Sequence, residues 1–173
     1  HYMIKEIEEI PQTVKRLISF YFQKNKFLFD PELIKDLKES DHIIFIACGT
    51  SYHAGLVGGR YFEKYDKSAS RFIASEWAFH PSYPGKKPFI IMISQSGETA
   101  DTIAAMRKAI EHKVDTLAIV NVDGSTIARE CTYKVLIEAG REIAVATTKA
   151  FIQQVLVLSL LSYKINKDDT YLE

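Results

Sequence analysis

Apolar and polar positions follow one rhythm before residue 40 and another after it. From residue 2 to about 24, Ile4, Ile7, Ile10, Val14, Leu17, Ile18 and Tyr21 recur at helical spacing, and Pro11 is placed to break or restart the helix. Asp30 and Pro31 then read as the cap and first residue of another helix. Beyond residue 41 come five short apolar runs: 42–48 (HIIFIAC), 70–74 (SRFIA), 88–94 (PFIIMIS), 115–122 (DTLAIVNV) and 133–139 (YKVLIEA). Helical patterns at 52–65, 99–113 and 125–131 separate several of them, with a short one at Ser75–Glu76–Trp77. Continuous apolar strands alternating with helices predict a parallel sheet covered on both faces, a three-layer doubly wound α/β domain. A last helix is expected from near Thr147 to about Tyr163. It is apolar nearly all round from Phe151 to Leu161, so it is either central or packed on another subunit or domain. The resulting division is an N-terminal helical segment at 1–40, an α/β domain at 41–165 and a tail at 166–173.

Charge narrows the functions this domain can have. Lys plus Arg and Asp plus Glu each number 22, for a formal net charge of zero. A broad nucleic-acid or anionic-membrane surface needs a basic excess, so neither partner is expected. No apolar run is long enough to span a bilayer. The two cysteines, Cys48 and Cys131, lack both disulfide-scaffold and metal-ligand spacing, which points to a reducing, cytoplasmic setting. The histidines show no ligand spacing either, and no metal or cofactor is expected. A chain opening on His1 rather than Met is expected to be a piece of a longer protein.

The candidate chemistry lies where strands end. In an open α/β sheet, ligands sit beyond the carboxyl ends of the strands where the strand order reverses. With an order of 2-1-3-4-5, that point falls between the first and third strands. The first runs into CGTSYHAG (48–55) and the third into SQSGETADT (94–102). Both sequences leave a strand, enter a helix and are rich in small and hydroxylated residues. A helix start carries unpaired N–H groups and partial positive charge, and phosphate groups settle there. Gly97 allows close backbone approach, while Ser94, Ser96, Thr99 and the facing Ser51 offer hydroxyl donors. Neither loop contains Lys or Arg, so a neutral cradle for a small phosphate ester is expected. The competing reading is that Ser96 is only a helix cap. No GxGxxG or GxxxxGK[ST] sequence is present, which argues against a dinucleotide or nucleoside-triphosphate loop. Lys149 stands in the first turn of the last helix, where the dipole disfavours a cation; a buried partner, a ligand or plain solvation would each account for it.

CGTSYHAG, SQSGETADT and GREIAVATTKAF (140–151), in that order and spacing, resemble the sugar isomerase (SIS) domain family. More narrowly, they resemble the first SIS half of the isomerase portion of the glutamine–fructose-6-phosphate aminotransferases, and the likeness covers nearly the whole chain. It implies a flavodoxin-like sheet and a role in binding fructose 6-phosphate or a related sugar phosphate. The parent enzyme would add ammonia from glutamine to that ketose and isomerise the product to glucosamine 6-phosphate. The implied substrate-binding residues are Ser51, Ser94, Gln95, Ser96 and Thr99, with Gly49, Thr50 and Gly97 shaping the loops. Thr147, in a Val145–Thr148 segment that lines the sugar in the family, would add a hydroxyl. Thr147 replaces the family's usual Ser and Ala144 its usual Gly. No catalytic residue is implied within this chain, because the family's acid–base and Schiff-base groups belong to a second SIS half and a C-terminal tail. That second half, a glutaminase domain and a homodimeric partner are the implied associates. A sugar-phosphate sensor or a related SIS deglycase or isomerase is the alternative.

Overall fold

The computed structural model describes residues 2–144 and 146–167. Val145 and the part of the expected tail at 168–173 lie outside the described residues. The chain begins with helices α1 (Tyr2–Glu8) and α2 (Ile10–Tyr21), with Pro11 in the first turn of α2, where its missing N–H costs nothing. The expected continuation to residue 24 does not occur. Instead β1 (Phe22–Gln23) pairs antiparallel with β2 (Lys26–Phe27). Lys24 and Asn25 between them both take positive φ, 49° and 60°, as a two-residue hairpin turn requires. Helix α3 (Pro31–Glu39) starts as expected, with the Asp30 carboxylate accepting from the Glu32 N–H at 2.9 Å.

The alternating region then follows: β3 (His42–Ala47), α4 (Gly49–Glu63), β4 (Ser68–Ile73), α5 (Ala74–Phe79), β5 (Pro88–Ser94), α6 (Ala100–Glu111), β6 (Asp115–Val120), α7 (Thr126–Glu130) and β7 (Tyr133–Leu136), closed by α8 (Lys149–Asn166). All five strands from β3 onward are parallel, in the order β4-β3-β5-β6-β7. That is the expected 2-1-3-4-5, with the reversal between β3 and β5. The last strand is shorter than its apolar run because β6 stops at Val120. Beyond it the Asn121 side chain takes over, accepting from the Ala139 N–H at 3.0 Å and donating to the Gly140 carbonyl at 2.6 Å.

Alternate side chains of the same strands enter two separate cores. Ile43, Phe45, Ile91, Ile93, Leu117 and Ile119 face α2, α3, α4 and α8, while Ile44, Ile46, Ile90, Met92, Ala118 and Val120 face α5, α6 and α7. Every one of them is essentially unexposed, and each large side chain so buried stabilises the fold by about 1.5–3 kcal/mol. Hence the runs are apolar throughout rather than alternating. Helix α8 is central on its inner face, where Val157, Leu158, Leu161 and Ile165 join the core, and half-exposed on its outer face. It approaches α4 closely because Gly58 presents no side chain: a Cβ there would press into Leu158.

Candidate functional site

Strands β3 and β5 run side by side, with Ala47 opposite Ile93, so the chain leaves the sheet at adjacent points through Cys48 and Ser94. Each exit leads into a long helix, α4 or α6. Their capping residues, Cys48 and Thr99, make no side-chain hydrogen bond to the helix start. The first-turn N–H groups of both helices thus receive no acceptor from the capping side chain. Gly49, the first residue of α4, adopts φ +54° with nothing within 4 Å of a notional Cβ, so glycine serves conformation there rather than space.

The loop after β5 is internally braced. The Ser94 hydroxyl, 2% exposed, accepts from the Gly97 N–H at 3.0 Å and lies 3.0 Å from the Thr99 hydroxyl. Ser96 is exposed and accepts from the Glu98 N–H at 3.2 Å, a local turn rather than a helix cap. The cap reading of Ser96 therefore fails, since Thr99 holds the capping position. Gly97 has φ +68°, and a Cβ on it would run into the Ser125 hydroxyl, so both conformation and crowding require glycine. The Glu98 carboxylate, an unwelcome charge beside an anion, is turned away to accept from the Thr126 N–H at 2.7 Å. That backbone bond is the main reason its pKa is lowered below the ordinary glutamate value. Gln95 is half-buried, and its carbonyl accepts from the Asn121 N–H at 3.0 Å.

A third segment reaches the same edge after β7. Thr147 is half-buried just before α8, and its neighbour Thr148 donates its N–H to the Glu142 carboxylate at 3.0 Å. Glu6 of α1, 4% exposed, accepts from the N–H groups of Ile143 and Ala144 at 2.6 and 3.1 Å. Ile4 and Ile7, whose spacing suggested an inward face, are instead 53% and 46% exposed, because α1 turns Glu6 inward to hold this segment. Lys149 is 3% exposed, its ammonium group 2.7 Å from both the Glu9 carboxylate and the Arg141 carbonyl. Plain solvation therefore does not account for this lysine, which is buried and paired with a half-exposed glutamate. The ammonium's hydrogen bond and charge hold the Glu9 carboxyl below its ordinary range.

Ser51 ties the first segment to α8. Its hydroxyl accepts from the Gln154 side-chain N–H of α8 at 3.0 Å, with both residues buried. Gly49 and Thr50 beside it are exposed. The sequence-derived residues thus lie on three segments that end at one sheet edge. Four residues that organise those segments, Glu6, Asn121, Ser125 and Gln154, escaped the sequence reading. Only the burial of Gln153 and Gln154 in an apolar helix could have hinted at one of them. Among the described residues, no group of three or more His, Cys, Asp or Glu side chains is placed to hold a metal. No helix among them is long and apolar enough to cross a membrane. The arrangement can receive a small anion through N–H and hydroxyl donors without a neutralising side chain.

Comparison with known proteins agrees with this architecture. The SIS domain family model matches residues 36–163. The chain is 44% identical over 169 residues to the glutamine–fructose-6-phosphate aminotransferase (isomerizing) of Streptococcus mutans, covering 96% of this chain and 28% of that protein. The Staphylococcus aureus counterpart is likewise 44% identical, over 170 residues, with 97% and 28% covered. The chain thus spans little more than a quarter of these relatives. Among solved structures, the C-terminal domain of glucosamine-fructose-6-phosphate aminotransferase from Francisella tularensis superposes with a TM-score of 0.90 at 36% identity, covering all of this chain and 49% of that one. Glucosamine-6-phosphate deaminase from Thermotoga maritima shares the fold, with a TM-score of 0.72 at 24% identity over 94% of this chain and 49% of that one. Strand order, the two helix-entering loops and the matched residues lead to one conclusion: the chain belongs to the SIS domain family.

Proposed function

We propose that this chain is the sugar-phosphate-binding first SIS half of a glutamine-dependent fructose-6-phosphate aminotransferase (isomerizing). The observation that carries the reading is the pair of long helices starting at adjacent strand ends without side-chain caps, beside a braced serine loop. The phosphate would sit between the loops, taking N–H groups from the starts of α4 and α6 and hydroxyl hydrogens from Ser51, Ser96 and Thr99. Ser94 and Thr99 form a relay in this reading: Ser94 donates to Thr99, which leaves the Thr99 hydrogen free for the ligand. Gln95 and Thr147 would contact the sugar, with Gly49, Thr50 and Gly97 giving the backbone its approach. The reaction assigned to the parent converts fructose 6-phosphate and glutamine to glucosamine 6-phosphate and glutamate. This chain contributes binding and orientation to it, and alone is expected to form no product. The aminotransferase identities favour this reading over a sugar-phosphate sensor or a SIS deglycase.

The associates proposed are a second SIS half and a glutaminase domain of the same parent chain, a homodimeric partner, and a cytoplasmic setting. The domain would run from 41 to 165 after a helical segment at 1–40. An apolar groove of about 330 Å³, lined among others by Val57 and Tyr61 of α4 and Ile152, Val155 and Leu156 of α8, is assigned to the second half. The Francisella domain is about twice the length matched here, so a lobe of comparable size is available to cover it.

An NMR titration of the chain with fructose 6-phosphate, glucose 6-phosphate, inorganic phosphate and ATP tests the reading. Sugar phosphates are expected to move the amides of Ser51 and Ser94–Thr99, with ATP silent. A response to ATP alone, or to no phosphate ester, would overturn it.

A further inference from the structure

Gln154 has no part in the contacts proposed above, yet it is wholly buried, next to the equally buried Gln153, on a helix whose inner face also carries Val157, Leu158, Leu161 and Ile165. Leucine at this position would pack without any polar group to satisfy. The glutamine makes one specific bond, from its side-chain N–H to the Ser51 oxygen at 3.0 Å, and its own carbonyl oxygen is buried without a partner. Because the Ser51 oxygen receives a hydrogen from inside the protein, its own hydrogen must point elsewhere. Among the described residues, no acceptor for that hydrogen is recorded.

We propose that Gln154 is a positioning residue: it fixes the Ser51 hydroxyl as an outward donor, so that Ser51 meets the ligand's phosphate with its hydrogen rather than its lone pairs. The inference rests on the sugar-phosphate reading above and deepens it. It also explains why α4 and α8 are packed so closely, since Ser51 and Gln154 meet across that contact, which Gly58 permits. The helix N-termini supply generic attraction for an anion. The glutamine supplies the direction of one hydroxyl, and thereby excludes ligands that present a donor at that point.

The test is a double-mutant cycle on the 173-residue chain, with fructose 6-phosphate and inorganic phosphate as probes. Gln154→Met keeps the volume and removes the donor, and is expected to weaken both probes about five- to ten-fold, the worth of one oriented neutral hydrogen bond. In a Ser51→Ala background the same change is expected to have no effect on either probe, because Gln154 acts through Ser51. Gln154→Glu, whose carboxylate accepts the Ser51 hydrogen and turns it inward, is expected to lose at least as much affinity. An equal loss in both backgrounds, or none in either, would overturn the inference.

A ligand-free measurement stands beside the cycle in case Gln154→Met fails to fold. In the unsubstituted chain, one Gln154 side-chain amide proton should be slow to exchange and shifted, and Ser51→Ala should abolish both properties. An amide signal indifferent to Ser51→Ala overturns the inference while leaving the sugar-phosphate reading intact. An unsubstituted chain that answers neither probe removes that reading, and this inference with it.

Discussion

Two segments at the same sheet edge are held by opposite strategies. The loop at 94–99 is braced from within, where Ser94, Ser96, Gly97 and Thr99 make bonds spanning at most five residues, and from the neighbouring β6–α7 turn, through Glu98 to Thr126, Gln95 to Asn121 and Gly97 to Ile127. The segment at 141–148 has little of its own. Apart from the Glu142 carboxylate accepting from Thr148, its backbone is gripped by Glu6, which is more than 130 residues away, while Lys149 anchors its end to Glu9. The first segment is held by its own residues and by the turn between β6 and α7. The second exists only when α1 and α2 are docked. A loop made the first way stays rigid when the N-terminal helices move, whereas a segment made the second way is adjustable through them.

The largest effect should come from breaking the self-braced loop. Gly97→Val combines a left-handed backbone with a Cβ driven into Ser125, and is expected to cost about 2–4 kcal/mol in denaturant unfolding, with loss of any phosphate response. A cost under about 1 kcal/mol would mean that the loop yields easily and the comparison is wrong.

Next comes the remote grip on the other segment. Glu6→Ala strands the N–H groups of Ile143 and Ala144 and is expected to cost about 1–3 kcal/mol. Hydrogen exchange should rise at 141–148 and stay unchanged at 94–99. Equal acceleration in both would show that they are one unit.

Lys149→Met should act on the same segment more weakly, since its partner Glu9 is half-exposed. The signature is in acid. The Glu9 carboxyl is held below its ordinary 4.5, so the pair stabilises the fold above that pH and loses its effect as pH falls through the lowered value. The variant should therefore lose stability relative to the parent near neutrality and converge with it at low pH. A constant difference across that range would assign the loss to packing instead.

The smallest effect is expected from Glu98→Gln. Glu98 too is held below 4.5, so its strut to Thr126 works above that pH and weakens below it. The substitution should raise amide exchange at Thr126 and slightly at Gly97, with almost no change in global stability.

How far these features were visible in the chain follows from the distance over which each is held. The strand order and the two helix-entering loops came from local pattern: buried strands on both faces must be apolar throughout, and a neutral run of hydroxyls and glycine after one of them has few structural uses. Pro11 and Asp30 act through their own backbone neighbours, and both were read correctly. The hairpin at 22–27 was missed because its turn is carried by Lys24 and Asn25 in left-handed backbone, and lysine gives no signal for that conformation. The inward turn of Glu6 was hidden for a different reason. Helical spacing tells which residues share a face, but only the position of the 143–144 backbone determines which face is needed.

The sequence by itself determined the class of fold, the strand order and the two loops that leave adjacent strand ends to enter helices. These depend on periodicity and on turn chemistry within a few residues. Tertiary structure alone decided that Lys149 is buried and paired with Glu9, that Ser96 is not a cap, and that the Ser51 hydroxyl is bonded from a helix residue 103 positions away. A hydrogen-bond donor is specified by residue type, but its direction is set by whichever group the fold brings within 3 Å of it.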